Sequence, residues 1–477
     1  MRCSRRILAL VIAFCPVMQA GAGAFTPVPL PDPQVPGFSF PESESTVLSW
    51  VHDPQAQTPG SAAFNNIRVH GWGLWTALTM PTSQIDNGER LRVFETWYTP
   101  QEISLQPVPL TKTSVASPAL SARVAHSRAP LRRFVQFEHG LNPRDRSLME
   151  ETQGSDTVFG YVKFDPTSAA HVVSEQLLST SALNQLLMGG AQQIPVFPST
   201  SLTLKSAFQV ITQKTLVDGR YYRLNVWTGP PSTPQAYGPI FWPGVVWVDT
   251  LGRGTGSGQV DMEASTDGGT RTSATTYPIT MFINHRLTAT EAAQFNAASP
   301  GAGAQSGDYA ILVAMHVAGR EIARWTWQTF WWTPTPDDPQ LPSSQAAAAL
   351  RPQQLTGPAR NYAMALAYDM ADPGQPNTGG QNAGSALYAY NPYLEARFGP
   401  DNLPDSVAGN GPDGQPASNN TGVQCNCMSC HVRANYNPNN LATAPQYSAA
   451  RYTDMNDPQF AGTLQVDLLW SLPELAQ

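Results

Sequence analysis

The chain has 477 residues, 41% of them hydrophobic and 13% charged, with 43 prolines and 37 glycines. At roughly 100–200 residues per domain this is a globular chain of two or three domains, rich in turns and able to bury a sizeable core. Its formal net charge of −7 offers no basic face for nucleic acid or anionic lipid, which excludes those partners.

In chain order, Met1 to Arg6 carries Arg2, Arg5 and Arg6, Ile7 to Phe14 is apolar, and Ala22-Gly23-Ala24 stands as a small-residue cleavage site before Phe25. This reads as a signal peptide over residues 1–24, hence a periplasmic or otherwise exported protein. Beyond it no apolar run reaches about 18 residues, so no transmembrane segment is expected in the mature chain. Cleavage removes Cys3 and Cys15, and the three remaining cysteines crowd into Cys425–Cys430. Such crowding excludes a disulfide framework.

Residues 25–60, with Pro27, Pro29, Pro31, Pro33 and Pro36, read as an extended arm. Residues 61–333 read as a β-rich body with helices. Within it a helix is expected over Ala63 to Leu78, with Ile67, His70 or Gly71, Leu74 and Leu78 on one face. Leu91 to Trp97 alternates as a strand, and Thr99 and Glu102 form a capping box with Pro100 at the first helical position. Residues 112–157 are polar and read as a surface excursion. Asp165-Pro166-Thr167 opens a helical stretch, Ser168 to Met188, closed by Gly189-Gly190. The period then becomes two over Leu202 to Ile211, Tyr221 to Trp227, Val245 to Asp249, Thr276 to Asn284, Tyr309 to Val317 and Ile322 to Trp332. A second capping box, Thr288 and Glu291, starts a short helix inside this region. The fold class expected is α+β, mainly β: a central antiparallel sheet or sandwich with flanking helices and a C-terminal segment, residues 421–477, docked on it.

The Trp-rich strand sets Trp325, Trp327 and Trp331 on one face and Phe330 and Trp332 on the other. It reads either as a core strand under a second layer or as an aromatic wall against a cofactor. Residues 334–420 read as linker and short helices: one turn at Ala346 to Leu350, a helix over Ala359 to Met370, and another within Ala386 to Phe398 entered through Asn391-Pro392.

Residues 421–477 carry the chemistry. Cys427-x-x-Cys430-His431 is the spacing that attaches a c-type haem: two thiols a short turn apart add to two vinyl groups, and the adjacent imidazole meets the iron. The same residue types also suit a zinc half-site or a redox dithiol. Cys425 lies outside the pair. Only 46 residues follow His431, too few for a separate cytochrome domain after it, so upstream structure is expected to form part of the pocket. Met455 is the one methionine downstream and the candidate second iron ligand of the usual type. His70, His285 and His316 are the upstream candidates, each set among apolar residues. No Ser/His/Asp constellation, phosphate loop or HExxH suggests another chemistry.

Trp325-Thr326-Trp327-Gln328-Thr329-Phe330, Tyr390-Asn391-Pro392-Tyr393-Leu394-Glu395, the CxxCH and the terminal Asp467-Leu468-Leu469-Trp470-Ser471 together resemble exported bacterial cytochrome c family proteins of unassigned activity. The resemblance covers about the last third well and the middle loosely. It implies one covalently bound haem c through Cys427 and Cys430, with His431 as axial ligand, and names no substrate. Three readings stand. The first is a monohaem electron-transfer protein with a redox partner protein or a small-molecule oxidant or reductant. The second is a haem-dependent oxidoreductase of peroxidase type, and the third a zinc-binding β-protein.

Overall fold

The computed structural model describes residues 25–105, 132–133, 159–230, 238–262, 271–369, 390–396, 431–432, 434–439 and 458–476. In chain order its strands are β1 Pro81–Asp86, β2 Glu89–Arg92, β3 Arg132–Arg133, β4 Phe159–Phe164, β5 Leu202–Ile211, β6 Leu216–Val217, β7 Tyr221–Val226, β8 Gly244–Asp249, β9 Thr276–Pro278, β10 Asn284–Arg286, β11 Tyr309–Gly319, β12 Thr326–Trp332, β13 Tyr362–Tyr368, β14 Asn435–Tyr436 and β15 Leu464–Gln465. The main sheet has seven strands in the order β13-β12-β11-β5-β4-β3, with β10 pairing β11 beside that path. Every pair in it is antiparallel. A four-stranded sheet, β6-β7-β8-β9, has a parallel β8–β9 pair, and two-stranded ladders join β1 to β2 and β14 to β15. The molecule is thus α+β and mainly β, a central antiparallel sheet with flanking helices. Among the described residues no helix is long and apolar enough to cross a membrane.

The helix Ala62–Thr79 lies on one face of the main sheet. Ser61 caps it by accepting from the Phe64 amide. Its two central glycines cost helix propensity, about 1 kcal/mol each, and the sheet explains them. A Cβ on Gly71 would sit 2.8 Å from the Leu366 and Met364 side chains, and one on Gly73 would sit 2.1 Å from the Phe38 ring. That closeness lets Trp75 stack on Phe330 of β12 with ring centroids 4.3 Å apart. The expected capping boxes form at Thr99 with Glu102 and at Thr288 with Glu291.

Several expectations are corrected. The helix expected over Ala359 to Met370 does not form: Gly357–Asn361 is a 3-10 turn and Tyr362–Tyr368 is β13, wholly buried in the main sheet. Tyr362, Met364, Leu366 and Tyr368 face one way and Ala363, Ala365 and Ala367 the other, an alternation in size without an alternation in polarity because both faces are covered. The region expected as linker therefore supplies a strand of the body. The stretch Ser168 to Met188 is two helices, Pro166–Ser174 and Thr180–Met188, divided where Gln176 turns left-handed (φ 55°) and Ser179 caps anew. Leu91 to Trp97 is extended only through Arg92 and then tightens into a 3-10 turn, Val93–Thr96. Thr276 to Asn284 is likewise interrupted by a 3-10 turn at Ile279–Met281. β12 begins at Thr326 because Trp325 is left-handed (φ 62°). Residues 25–60 are extended only in part, since Glu44–Val51 is a helix capped by Ser43.

Two apolar clusters result. The larger joins Trp72, Trp75, Phe330, Trp331 and Trp332 to both the main and the four-stranded sheets. The smaller gathers Phe164, Val172, Leu183, Trp325 and Trp327 with Val432, Ala434, Tyr436, Leu464, Val466, Leu468, Leu469 and Leu472. At about 1.5–3 kcal/mol for each large side chain taken from water, the second cluster fastens the segment after His431 to the sheet.

Candidate functional site

Directly paired residues of an antiparallel sheet share a face, so the register defines the surface beneath His431. Three rows cross the sheet from β4 to β13. The first is Gly160, Ala207, Ala314, Trp331 and Ala363. The second is Val162, Lys205, His316, Thr329 and Ala365, and the third is Phe164, Thr203, Ala318, Trp327 and Ala367. Alanine dominates this floor. Val162, Lys205 and His316 are only partly covered, whereas Thr329, Trp327 and the alanines are buried.

Two segments stand over it. The first is the turn of helix Pro392–Glu395. Asn391 begins it by accepting from the Tyr393 amide at 3.1 Å, while its Nδ2 donates to Thr329 Oγ1 at 2.8 Å and to the Phe330 carbonyl at 2.9 Å. This use of Asn-Pro is the helix entry expected from the sequence. Tyr393 donates to the Asn225 carbonyl at 3.2 Å and packs edge-on to Trp242, so the segment ties the two sheets together. Glu395 accepts from its own Asn391 amide and places Oε1 2.7 Å from His316 Nε2.

The second segment carries His431. Its Nδ1 donates to the Leu468 carbonyl at 2.7 Å, and its ring lies on Trp327 with centroids 4.1 Å apart. A carbonyl only accepts, so the proton sits on Nδ1 and the Nε2 lone pair is left over. Among the described residues Nε2 has no hydrogen-bond partner. Burial pushes the imidazole pKa down to about 4, opposed by the Leu468 carbonyl and Glu395 and helped by the proximity of His316 and Lys205. The ring is therefore neutral near pH 7, the form that binds metals.

A strained turn aims that carbonyl. Asp467 and Leu468 are consecutive left-handed residues, φ 48° and 69°, a conformation that costs a non-glycine residue on the order of 1–3 kcal/mol. Asp467 holds it: Oδ2 accepts from the Phe197 amide and from Arg320 Nε, both at 3.1 Å, and its side chain is wholly buried. The Asp-Leu-Leu-Trp-Ser sequence singled out earlier thus carries the acceptor for His431. Sequence reasoning did not see that role, for which the signal is structural: a buried acid that is itself left-handed, followed by a second left-handed residue.

The other sequence candidates separate cleanly. His70 is buried on the opposite side of the sheet, Nδ1 2.7 Å from the Tyr368 hydroxyl and Nε2 3.0 Å from Glu321 Oε1. With both nitrogens engaged it is a structural link between the helix and the sheet. His285 is wholly buried, with Nε2 3.2 Å from Glu291 Oε1 and its ring edge-on to Phe208. Of these three, only His316 shares a face with Trp327 and lies near enough to His431 to disfavour its charged form. Cys425, Cys427, Cys430 and Met455 lie outside the described residues. Of the two readings of the Trp strand, β12 is a fully covered core strand, and Trp327 is also the surface against which His431 packs.

The donor chemistry fits a haem iron. An imidazole that ligates a metal gives its other ring N–H to a carbonyl or carboxylate, which fixes tautomer and orientation, and His431 has that pattern. Among the described residues no group of three or more His, Cys, Asp or Glu side chains is placed to hold a metal ion. No family model, curated protein or solved structure matches the chain.

Proposed function

We propose that this chain is an exported, monohaem c-type cytochrome-like protein that passes single electrons, its haem attached through Cys427 and Cys430 with His431 on the iron. The observation that carries the reading is the His431 imidazole, the histidine of the CxxCH spacing, fixed through Nδ1 by the Leu468 carbonyl and so offering Nε2. A covalent haem would supply a one-electron couple there. The chain's own contribution is positional and electrostatic. The Leu468 carbonyl draws on the Nδ1 proton and so raises the basicity of Nε2. Trp327 keeps water from one side of the ring, and a low local dielectric favours the less charged redox state. Six alanines lie on the sheet face beside His431. Partners in this reading are a redox protein or a small oxidant or reductant, reached in the periplasm after loss of residues 1–24.

The test is expression in a host that matures c-type cytochromes. Haem should stay with the chain through denaturing electrophoresis and acid extraction, at one per chain, with the mature protein beginning at Phe25. Cys427→Ala and Cys430→Ala each weaken or abolish attachment, and Cys425→Ala does not. A colourless protein that holds stoichiometric zinc instead overturns the reading in favour of a zinc-binding β-protein.

A further inference from the structure

We propose that His316 is the second protein ligand of the haem iron, held for that role by Glu395; this rests on the haem reading above. Three observations converge on it. First, its surroundings on β11 are small: Ala314 and Ala318 flank it at two residues either side on the same face, and Thr329 and Ala365 continue its row. Along β11, then, no bulky side chain stands beside the imidazole, whereas Lys205 on β5 and Thr329 on β12 are its cross-strand partners. Secondly, it is the upstream histidine with a free nitrogen in reach of the site. Glu395 Oε1, at 2.7 Å, holds the proton on Nε2 and leaves the Nδ1 lone pair. His70 has both nitrogens bound, and His285 is enclosed in the core. Thirdly, His316 repeats the arrangement of His431, one ring N–H given to a fixed oxygen acceptor and the other nitrogen left over. That is the outer-shell pattern of a metal-bound histidine on both residues.

The groups facing His316 are Glu395 from the overlying turn, Lys205 from β5 and His431 from the C-terminal segment. Glu395 is a positioning residue, itself oriented by the Asn391 amide. Its substitution changes how strongly His316 donates without removing the ligand.

The experiment uses the full haem-loaded protein. On the unmutated chain, ferric spectra and near-infrared magnetic circular dichroism should show low-spin iron with two histidines. His316→Ala should lose the low-spin spectrum and regain it with added imidazole, while Met455→Ala leaves it unchanged. Glu395→Gln should stay low-spin with a raised midpoint potential. A histidine–methionine signature or high-spin iron in the unmutated protein overturns the proposal. So does a folded His316→Ala protein with the parent spectrum, and an unchanged potential in Glu395→Gln removes Glu395 from it. Absence of covalent haem is a different failure, that of the underlying reading. The measurements on the unmutated protein decide the matter even where His316→Ala does not fold.

Discussion

The turn at Asp467 allows a stringent test, because one buried carboxylate holds both the strained backbone and the acceptor of His431. In Asp467→Ala the Phe197 amide loses its partner inside the protein, which costs about 1–3 kcal/mol. Arg320 loses its buried counter-charge but keeps a 2.7 Å bond from Nη1 to the Ile322 carbonyl, and its side chain is 13% exposed, so that loss is partly screened. Alanine also tolerates the left-handed backbone less well than aspartate does, by on the order of 1 kcal/mol. The total expected is about 3–5 kcal/mol, close to that for breaking a buried pair by removing one partner. Asp467→Asn keeps an acceptor oxygen and a residue at ease in the left-handed region, so about half of that loss is expected. The assay is urea unfolding followed by tryptophan fluorescence, with the change taken from the shift in midpoint at constant slope. A loss under about 1 kcal/mol in the alanine variant, or equal losses in the two, refutes the account of this turn.

Trp327→Ala removes the surface behind His431 and should cost about 3–5 kcal/mol, whereas Trp327→Phe should recover much of it; calorimetry of the two variants checks this. At Gly73, alanine drives the Phe38 ring outward at about 1–3 kcal/mol. Combining Gly73→Ala with Phe38→Ala should cost less than the sum of the two, and strict additivity would contradict the contact. Arg220 holds the Asp249 carboxyl below the usual carboxylate range, with Nε and Nη2 at 2.8 and 2.6 Å, chiefly through that hydrogen bond. A lowered folded pKa means stability present above the unfolded value, near 3.9, and lost as pH falls through the folded value. Asp249→Asn should therefore be less stable near neutrality and show a shallower loss on the acid limb of a pH series. The parent's steeper acid limb disappears in that variant, and an unchanged limb would refute the linkage.

The strands with polar turns on either side, such as β5, β7 and β8, were legible from their period of two, and several helices from their Thr, Asp and Asn starts. β13 was not. Tyr-Ala-Met-Ala-Leu-Ala-Tyr is covered on both faces, so the polarity signal of a strand is missing and its alanines, methionine and leucine read as helix formers. The split of Ser168–Met188 escaped for a different reason: nothing in Ser174–Ser179 is a breaker, and the turn there is set by packing of Leu177 and Leu178 into the smaller cluster. At the site, the CxxCH spacing marked His431 locally. Choosing His316 over His70 and His285 required knowing which sheet face each occupies, and strand pairing between distant segments decides that.

The alanine face has a further consequence for how this protein tolerates change. In β13 the small and large residues strictly alternate, so the same strand presents methyls on one side and Tyr362, Met364, Leu366 and Tyr368 on the other. A slip of one residue against β12 would exchange the two sets, thrusting Met364 or Leu366 toward His316 and withdrawing them from the helix Ala62–Thr79. Strand alignment thereby sets which side chains lie beside His316, and a chain misaligned at β12–β13 would lose its helix packing and its alanine face in a single event. Insertions or deletions between Trp332 and Tyr362 should accordingly be tolerated only where they leave that alignment intact.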